Sequence, residues 1–196
     1  MIVYLHGFNS SPQSHKARFF AAWLSERGLA GRFACPALPH FPDEAIAVAE
    51  AAMGSHRGKE VTFVGSSLGG FYATHLAEKH DARAVLINPA VDPHIGLRTC
   101  LGTQHNLYSG AEYELTGAHL DAWARQFVGH ISPERYLLLV ETGDEVLDYR
   151  NAVEKYRGAR QVLVEGGDHS LASFPDHLPL IAAVAQLAVP ARPHRL

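Results

Sequence analysis

Short apolar and β-branched runs recur along the chain, with little polar alternation inside them. Such runs predict strands that are buried on both faces, as in a parallel sheet. They lie at residues 1–5, 33–35, 61–64, 84–87, 136–140 and 161–164. Elsewhere, apolar residues recur at helical spacing, which predicts helices near residues 19–24, 43–53, 68–79, 149–156 and 175–187. Strands that alternate with helices predict an α/β fold: a mostly parallel sheet of about six strands with helices on both faces.

The stretch between the fourth and fifth runs breaks this rhythm, because it contains no clear strand. A connection of that length is usually functional, such as a lid. Within it, the apolar spacing over residues 120–127 predicts one amphipathic helix, with Thr116 as a possible cap. Two interpretations stay open for the insertion, which covers about residues 91–134. In the first, the insertion only packs on the core. In the second, it forms an apolar acyl pocket to which Tyr108 and Trp123 contribute.

Composition narrows the class of protein. A chain of 196 residues fits one domain, here 1–196, with a sizeable core. The net charge of −3, without a long charged run, does not favour nucleic acid or an anionic membrane as a partner. No apolar run approaches the ~18 residues of a membrane span. The N-terminus lacks the features of a secretion signal, so a cytoplasmic location is expected. The tail at 190–196 is expected to be frayed.

The third run leads directly into Gly65-x-Ser67-x-Gly69 and then into a predicted helix. A sharp turn from strand to helix would strain the backbone of Ser67 and lift its hydroxyl clear of the sheet. The chain two residues before and two residues after the serine would pass close together, which favours glycine at both places. Ser67 is therefore a candidate nucleophile. The alternative is a glycine-rich turn whose serines cap the helix.

A serine hydroxyl needs a base to take its proton, and the base needs a third group to orient it. His169 is the preferred base among 13 histidines, because its loop follows the sixth strand and would lie at the carboxyl edge of the sheet. His177 is the fallback. Asp144 is the preferred acid, since it follows the fifth strand and gives the order serine, acid, histidine. Its rivals in the same segment are Glu141, Glu145 and Asp148.

An oxyanion hole needs two backbone donors. We expect one from Leu68, directly after the nucleophile, and the other from Phe8 in the loop after the first strand, with Asn9 as second choice. His6 in the same loop is either a structural hydrogen-bonding residue or a second base. His6 and Asn9 are also expected to line the substrate pocket. The two cysteines have no metal or redox spacing, and neither a metal nor a cofactor is expected.

Together, these segments resemble the YqiA-like esterases, which are small bacterial α/β-hydrolases. Five segments carry the resemblance, in the same order along the chain: residues 4–12, 65–73, 86–91, 142–149 and 166–169. The resemblance implies a three-layer α/β-hydrolase fold and hydrolysis of carboxylic esters and acyl thioesters. It also implies that Ser67, Asp144 and His169 are the catalytic residues.

The expected reaction is transfer of an acyl group to Ser67 and then to water, on a small-molecule ester or acyl thioester. This chemistry needs no metal or organic cofactor. Three alternatives stay open at this point. An amidase or peptidase, or an acyltransferase, could use the same triad, and a non-catalytic member of the fold could serve as a binding protein.

Overall fold

The computed structural model describes residues 1–189, so the predicted frayed tail at 190–196 lies outside the described residues. The strands are β1 (Ile2–Leu5), β2 (Phe33–Ala34), β3 (Thr62–Ser66), β4 (Arg83–Ile87), β5 (Gly102–His105), β6 (Glu112–Leu115), β7 (Tyr136–Glu141) and β8 (Arg160–Val164). The helices are α1 (His15–Ser25), α2 (Pro42–Ala51), α3 (Leu68–His80), α4 (Pro93–Gly96), α5 (Gly117–Gln126), α6 (Tyr149–Lys155) and α7 (Phe174–Val184). Within residues 1–189, no helix is both long enough and apolar enough to cross a membrane.

Six of these strands form one sheet in the order β2-β1-β3-β4-β7-β8. The predicted α/β fold is confirmed, and every pairing in this sheet is parallel. Side chains of a strand alternate between its two faces, so a strand covered on both sides contributes to two cores. In β1, Ile2 and Tyr4 pack in one core with side chains of α1 and α7, whereas Val3 and Leu5 pack in the other with those of α2 and α3. The molecule is therefore built of three layers.

The insertion between β4 and β7 differs from the prediction. The sequence shows no clear strand there, yet β5 and β6 form an antiparallel hairpin. Its strands are mostly polar and mostly only partly buried, which explains why no apolar run marks the hairpin. The predicted amphipathic helix is present as α5, and Thr116 and His119 form a capping box at its start.

The strand order reverses direction at β1, which lies between β2 and β3. At such a reversal, the loops that leave neighbouring strands diverge and open a crevice beyond the carboxyl ends of the sheet. The pairing of Leu5 with Gly65 brings the ends of β1 and β3 side by side. Residues 6–9 and Ser67 therefore emerge next to each other at this edge.

Candidate active site

Ser67 lies on a tight elbow between β3 and α3, with φ of 55° and ψ of −122°. A Cβ added to Gly65 would lie 2.1 Å from the carbonyl oxygen of Gly69, and one added to Gly69 would lie 2.0 Å from that of Leu5. Both glycines are thus required by close backbone contacts, as the motif predicts. The Ser67 carbonyl accepts N–H groups from Gly70 (2.8 Å) and Ala90 (3.0 Å). These contacts hold the serine in a conformation that it would otherwise avoid.

His169 and Asp144 form a hydrogen-bonded pair at the same edge of the sheet. His169 Nδ1 lies 2.8 Å from Oδ2 and 3.0 Å from Oδ1 of Asp144. The Asp144 side chain is 1% exposed, and its Oδ1 also accepts the N–H groups of Val146 (2.9 Å) and Leu147 (2.8 Å). A carboxylate with these donors favours the tautomer in which His169 Nδ1 carries the proton. Nε2 is then the free basic nitrogen.

The three rivals of Asp144 make other contacts. Glu145 accepts the backbone N–H of His169 (3.0 Å), and Asp148 caps α6 by accepting the N–H of Arg150. Glu141 is buried at the end of β7 and belongs to a separate network described below. Asp144 is therefore the carboxylate that contacts the imidazole of His169.

Glu141 ties the loop after β8 to the sheet. Its carboxylate accepts N–H groups from Asp168 (2.8 Å), Ala172 (3.1 Å) and Ser173 (2.9 Å), and the hydroxyl of Ser173 (2.6 Å). Burial opposes the charged form of Glu141, but the hydrogen bonds from Ser173, Asp168 and Ala172 outweigh it and lower the pKa of this carboxyl. The network holds the segment that carries His169.

Asn88, directly after β4, is a positioning residue that sequence reasoning did not single out. Its Nδ2 donates to the carbonyl oxygens of Asp168 (3.0 Å) and His169 (3.2 Å), while its Oδ1 accepts the N–H of Glu141 (3.0 Å). One buried amide thus connects the ends of β4 and β7 with the His169 loop. In the sequence, the signal for this role was the placement of an asparagine directly after a buried strand.

The two proposed oxyanion donors lie beside Ser67. Leu68 is the first residue of α3, and together with Phe8 and Ser67 it lines one cavity. Among residues 1–189, neither the Leu68 nor the Phe8 amide has a hydrogen-bond acceptor. A Cβ added to Gly7 would lie 3.2 Å from Ser67 Cβ, so the loop after β1 lies directly against the serine. Both N–H groups are therefore free to donate a hydrogen bond, as an oxyanion hole requires.

His6 and Asn9 hold this loop in place. His6 Nε2 accepts the N–H of Leu38 (3.1 Å), and its Nδ1 lies 3.1 Å from the carbonyl oxygen of Gly7. Burial lowers the pKa of His6, and both ring nitrogens are already engaged, so the residue acts as a neutral hydrogen-bonding residue. Asn9 donates to Gln104 Oε1 (3.0 Å) and accepts the Tyr113 hydroxyl (2.7 Å), which connects the loop to the β5–β6 hairpin.

Two cavities meet at Ser67. The first, here the His169 cavity, has a volume of about 440 Å³. Its lining includes Ser67, His169, Lys16, Leu107, Tyr108 and Phe174. The second, here the Val146 cavity, has a volume of about 510 Å³. Its lining includes Ser67, Leu68, Val91, Ile95, Leu97 and Val146. His6 lines the first cavity, and Asn9 lines a third, smaller one of about 280 Å³ nearby.

Trp123 does not line the substrate pocket, so the prediction for this residue is wrong. The structure places this residue in the core, fully buried, with its indole N–H donating to the Tyr72 hydroxyl (2.8 Å). It lines none of the three cavities around Ser67. Tyr108 lies at the tip of the hairpin and does line the His169 cavity. Periodicity identified the helix of Trp123 but could not tell which of its apolar residues would face a ligand.

A protein-family model described as "Uncharacterised protein family (UPF0227)" matches residues 1–186. The chain belongs to this family. UPF0227 is the YqiA-like family that the five sequence segments resemble, so that expectation is confirmed. The match includes every strand of the main sheet and both residues of the Asp144–His169 pair.

Solved structures show which fold this UPF0227 protein shares. The mouse α/β hydrolase domain-containing protein 10 has a TM-score of 0.66 at 14% identity, over 94% of this chain and 88% of that one. A monoacylglycerol lipase from Paleococcus ferrophilus has a TM-score of 0.65 at 14% identity, over 94% and 93%. Est1E from Butyrivibrio proteoclasticus, bound to ferulic acid, has a TM-score of 0.60 at 17% identity, over 94% and 86%. The UPF0227 chain therefore has the α/β-hydrolase fold.

Proposed function

We propose that this chain is a serine hydrolase of carboxylic esters or acyl thioesters, with Ser67 as nucleophile, His169 as base and Asp144 as the orienting acid. The observation that carries the proposal is the His169–Asp144 pair, whose imidazole lines the same cavity as Ser67. The strained elbow under Ser67 and the two unpaired amides beside it support the same function. The similarity in fold to a lipase and to an esterase structure agrees with it.

In the first half of the reaction, Ser67 Oγ attacks the carbonyl carbon as His169 Nε2 takes its proton. Asp144 stabilises the imidazolium that forms. The developing oxyanion binds the N–H groups of Phe8 and Leu68. When the tetrahedral intermediate collapses, its C–O or C–S bond breaks and the leaving atom takes the proton from His169. An acyl-enzyme on Ser67 remains.

In the second half, water attacks the acyl-enzyme and gives one proton to His169 Nε2. The bond between the acyl carbon and Ser67 Oγ then breaks, and the oxygen of Ser67 recovers the proton. The products are a carboxylic acid and an alcohol or thiol. The substrate is a small molecule, because the two cavities at Ser67 are of the size that such ligands occupy.

The test is covalent labelling with a fluorophosphonate probe, followed by identification of the modified peptide by mass spectrometry. We expect modification at Ser67 and hydrolysis of short 4-nitrophenyl esters. Ser67→Ala should abolish labelling and lower kcat by about 10⁴- to 10⁶-fold, because the members of a triad act as a unit. Ser66→Ala, at the end of β3, should still be labelled. Near-normal turnover by Ser67→Ala would contradict the proposal.

A further inference from the structure

The position of His169 determines which cavity receives which part of the substrate. The group that deprotonates Ser67 must later protonate the leaving atom, so that atom has to lie within reach of the imidazole. His169 lines the first cavity but not the Val146 cavity. The leaving group therefore extends into the His169 cavity, and the acyl chain extends into the Val146 cavity, whose lining is mostly apolar.

The two cavities differ in the charged groups that line them. Within the described chain, the lining of the His169 cavity contains a lysine and three histidines but no carboxylate. The lining of the Val146 cavity contains Asp92 and Asp148 but no lysine, arginine or histidine. An anionic group is thus favoured on the leaving-group side. On the acyl side, Asp148 forms a salt bridge with Arg150 (2.7 Å), so the negative charge of that lining is partly balanced.

Lys16, the second residue of α1, is the cation of the His169 cavity. Its Nζ donates to the carbonyl oxygen of Ser170 (2.6 Å), one residue after the base. No carboxylate among residues 1–189 forms a salt bridge with it. The nearby carboxylates of Asp168, Glu141 and Asp144 accept hydrogen bonds from other donors. Burial lowers the pKa of Lys16, although Asp168, Glu141 and Asp144 oppose this. The amine is held in place and keeps hydrogen-bonding capacity for a ligand.

We infer that the substrate has an alcohol or thiol leaving group that carries an anionic group, and that Lys16 binds this anion in the His169 cavity. Hydroxyl groups of Ser10, Ser14 and Tyr108 line the same cavity and offer further donors. The inference rests on the proposed function, because it uses the base to assign the two sides. Lys16 would be a specificity residue, and the hydrolytic chemistry would stay with the triad.

The test compares two butyrate esters that differ only in the charge of the leaving group: 4-carboxyphenyl butyrate and 4-carbamoylphenyl butyrate. Each kcat/KM is divided by the rate of alkaline hydrolysis, which removes the difference in intrinsic reactivity. We expect a preference of about twofold to fivefold for the carboxylate ester at low salt, in the range of a partly exposed ion pair.

Lys16→Met should remove the preference for the carboxylate ester, and Lys16→Arg should keep it. Lys155→Met is the matched control, because Lys155 also donates to backbone carbonyls, of Val128 and Gly129, but lines neither cavity at Ser67. A purely structural role of Lys16 would lower the rates for both esters equally and leave the ratio unchanged. An unchanged ratio in folded Lys16→Met, or no preference in the wild type, overturns the inference.

Failure of the proposed function would give a different result from failure of the inference about Lys16. If the wild type hydrolysed the carbamoyl ester through Ser67 but showed no charge preference, only the assignment of Lys16 would be wrong. If it hydrolysed neither ester and resisted the fluorophosphonate probe, the hydrolase proposal itself would be wrong.

Discussion

Ser67 occupies a backbone conformation that non-glycine residues rarely adopt. A residue in such a sparsely populated backbone region carries strain of order 1–3 kcal/mol, which persists only where neighbouring contacts impose it. Here the N–H of Ser67 donates to the carbonyl oxygen of Ile87 (3.0 Å), and its own carbonyl accepts two further N–H groups. Glycines at positions 65 and 69 let the backbone approach closely enough for these bonds.

Gly65→Ala should destabilise the protein by about 2–3 kcal/mol or more, because the new Cβ would meet backbone atoms of Gly69 that cannot move independently. Gly117→Ala is the control, since a Cβ there would contact nothing within 4 Å at the start of α5. Urea unfolding followed by circular dichroism measures both. Equal midpoints for the two variants would contradict the close packing at the elbow.

At the scale of elements, the β5–β6 hairpin depends on the loop after β1. A two-stranded hairpin is marginally stable alone, and this one is only partly buried. Besides the two contacts of the Asn9 side chain, Leu107 donates its N–H to the carbonyl oxygen of Asn9 (2.9 Å), and Asn106 Nδ2 donates to that of Ser10 (2.8 Å). The loop that carries Phe8, the proposed oxyanion donor, therefore also holds the hairpin tip over the His169 cavity.

Asn9→Gly should release the hairpin without straining the backbone, because glycine accepts the φ of 51° at this position. We expect faster amide hydrogen exchange over β5 and β6 and a rise in KM that exceeds the fall in kcat. Tyr113→Phe removes only one of the two side-chain bonds and keeps the ring stacked on His40, so its effect should be smaller. Identical exchange in Asn9→Gly and wild type would show that Asn9 does not anchor the hairpin.

Each element could be predicted from the sequence only as far as its residues form a recognisable pattern. Strands buried on both faces leave apolar runs, so the sheet and the loops that carry Ser67, Asp144 and His169 could be located. The hairpin leaves no such run, because its strands are mostly polar and are stabilised by side chains that are distant in sequence. The roles of Lys16 and Asn88 arise from chain segments that converge only in the folded molecule. Spacing along the chain therefore did not indicate the proposed role of Lys16, and for Asn88 it gave only the position directly after a buried strand.

At the scale of the whole molecule, two histidines connect the insertion to the segment before α2. His119 Nδ1 accepts the N–H of Thr116 (3.2 Å), so its Nε2 carries the proton and donates to His40 Nδ1 (3.0 Å). His40 in turn stacks on Tyr113 of the hairpin. Protonation of His119 at Nδ1 would remove the acceptor of the Thr116 N–H and place a positive charge beside His40.

This pair should make the protein less stable in mild acid. Burial, with a smaller contribution from His40, lowers the pKa of His119 below its ordinary value of 6.5. The unfolded chain therefore binds more protons, and the free energy of unfolding falls as the pH drops below about 6.5. His119→Gln, which keeps an acceptor and a donor without titrating, should flatten this dependence between pH 7 and pH 5. Urea unfolding across that range measures the change in the free energy of unfolding with pH. Equal slopes for the wild type and His119→Gln would refute the role given to His119.

The order of the three proposed catalytic residues along the chain has a consequence for synthesis. Ser67 is translated about 100 residues before His169, which at ordinary elongation rates is a delay of about 5–20 s. Asp144 and His169 follow β7 and β8, which are the last two strands along the chain. On the proposed mechanism, a growing polypeptide on the ribosome therefore carries the nucleophile without its base. The proposed mechanism thus predicts that nascent chains do not hydrolyse esters until β8 and the loop with His169 have joined the sheet.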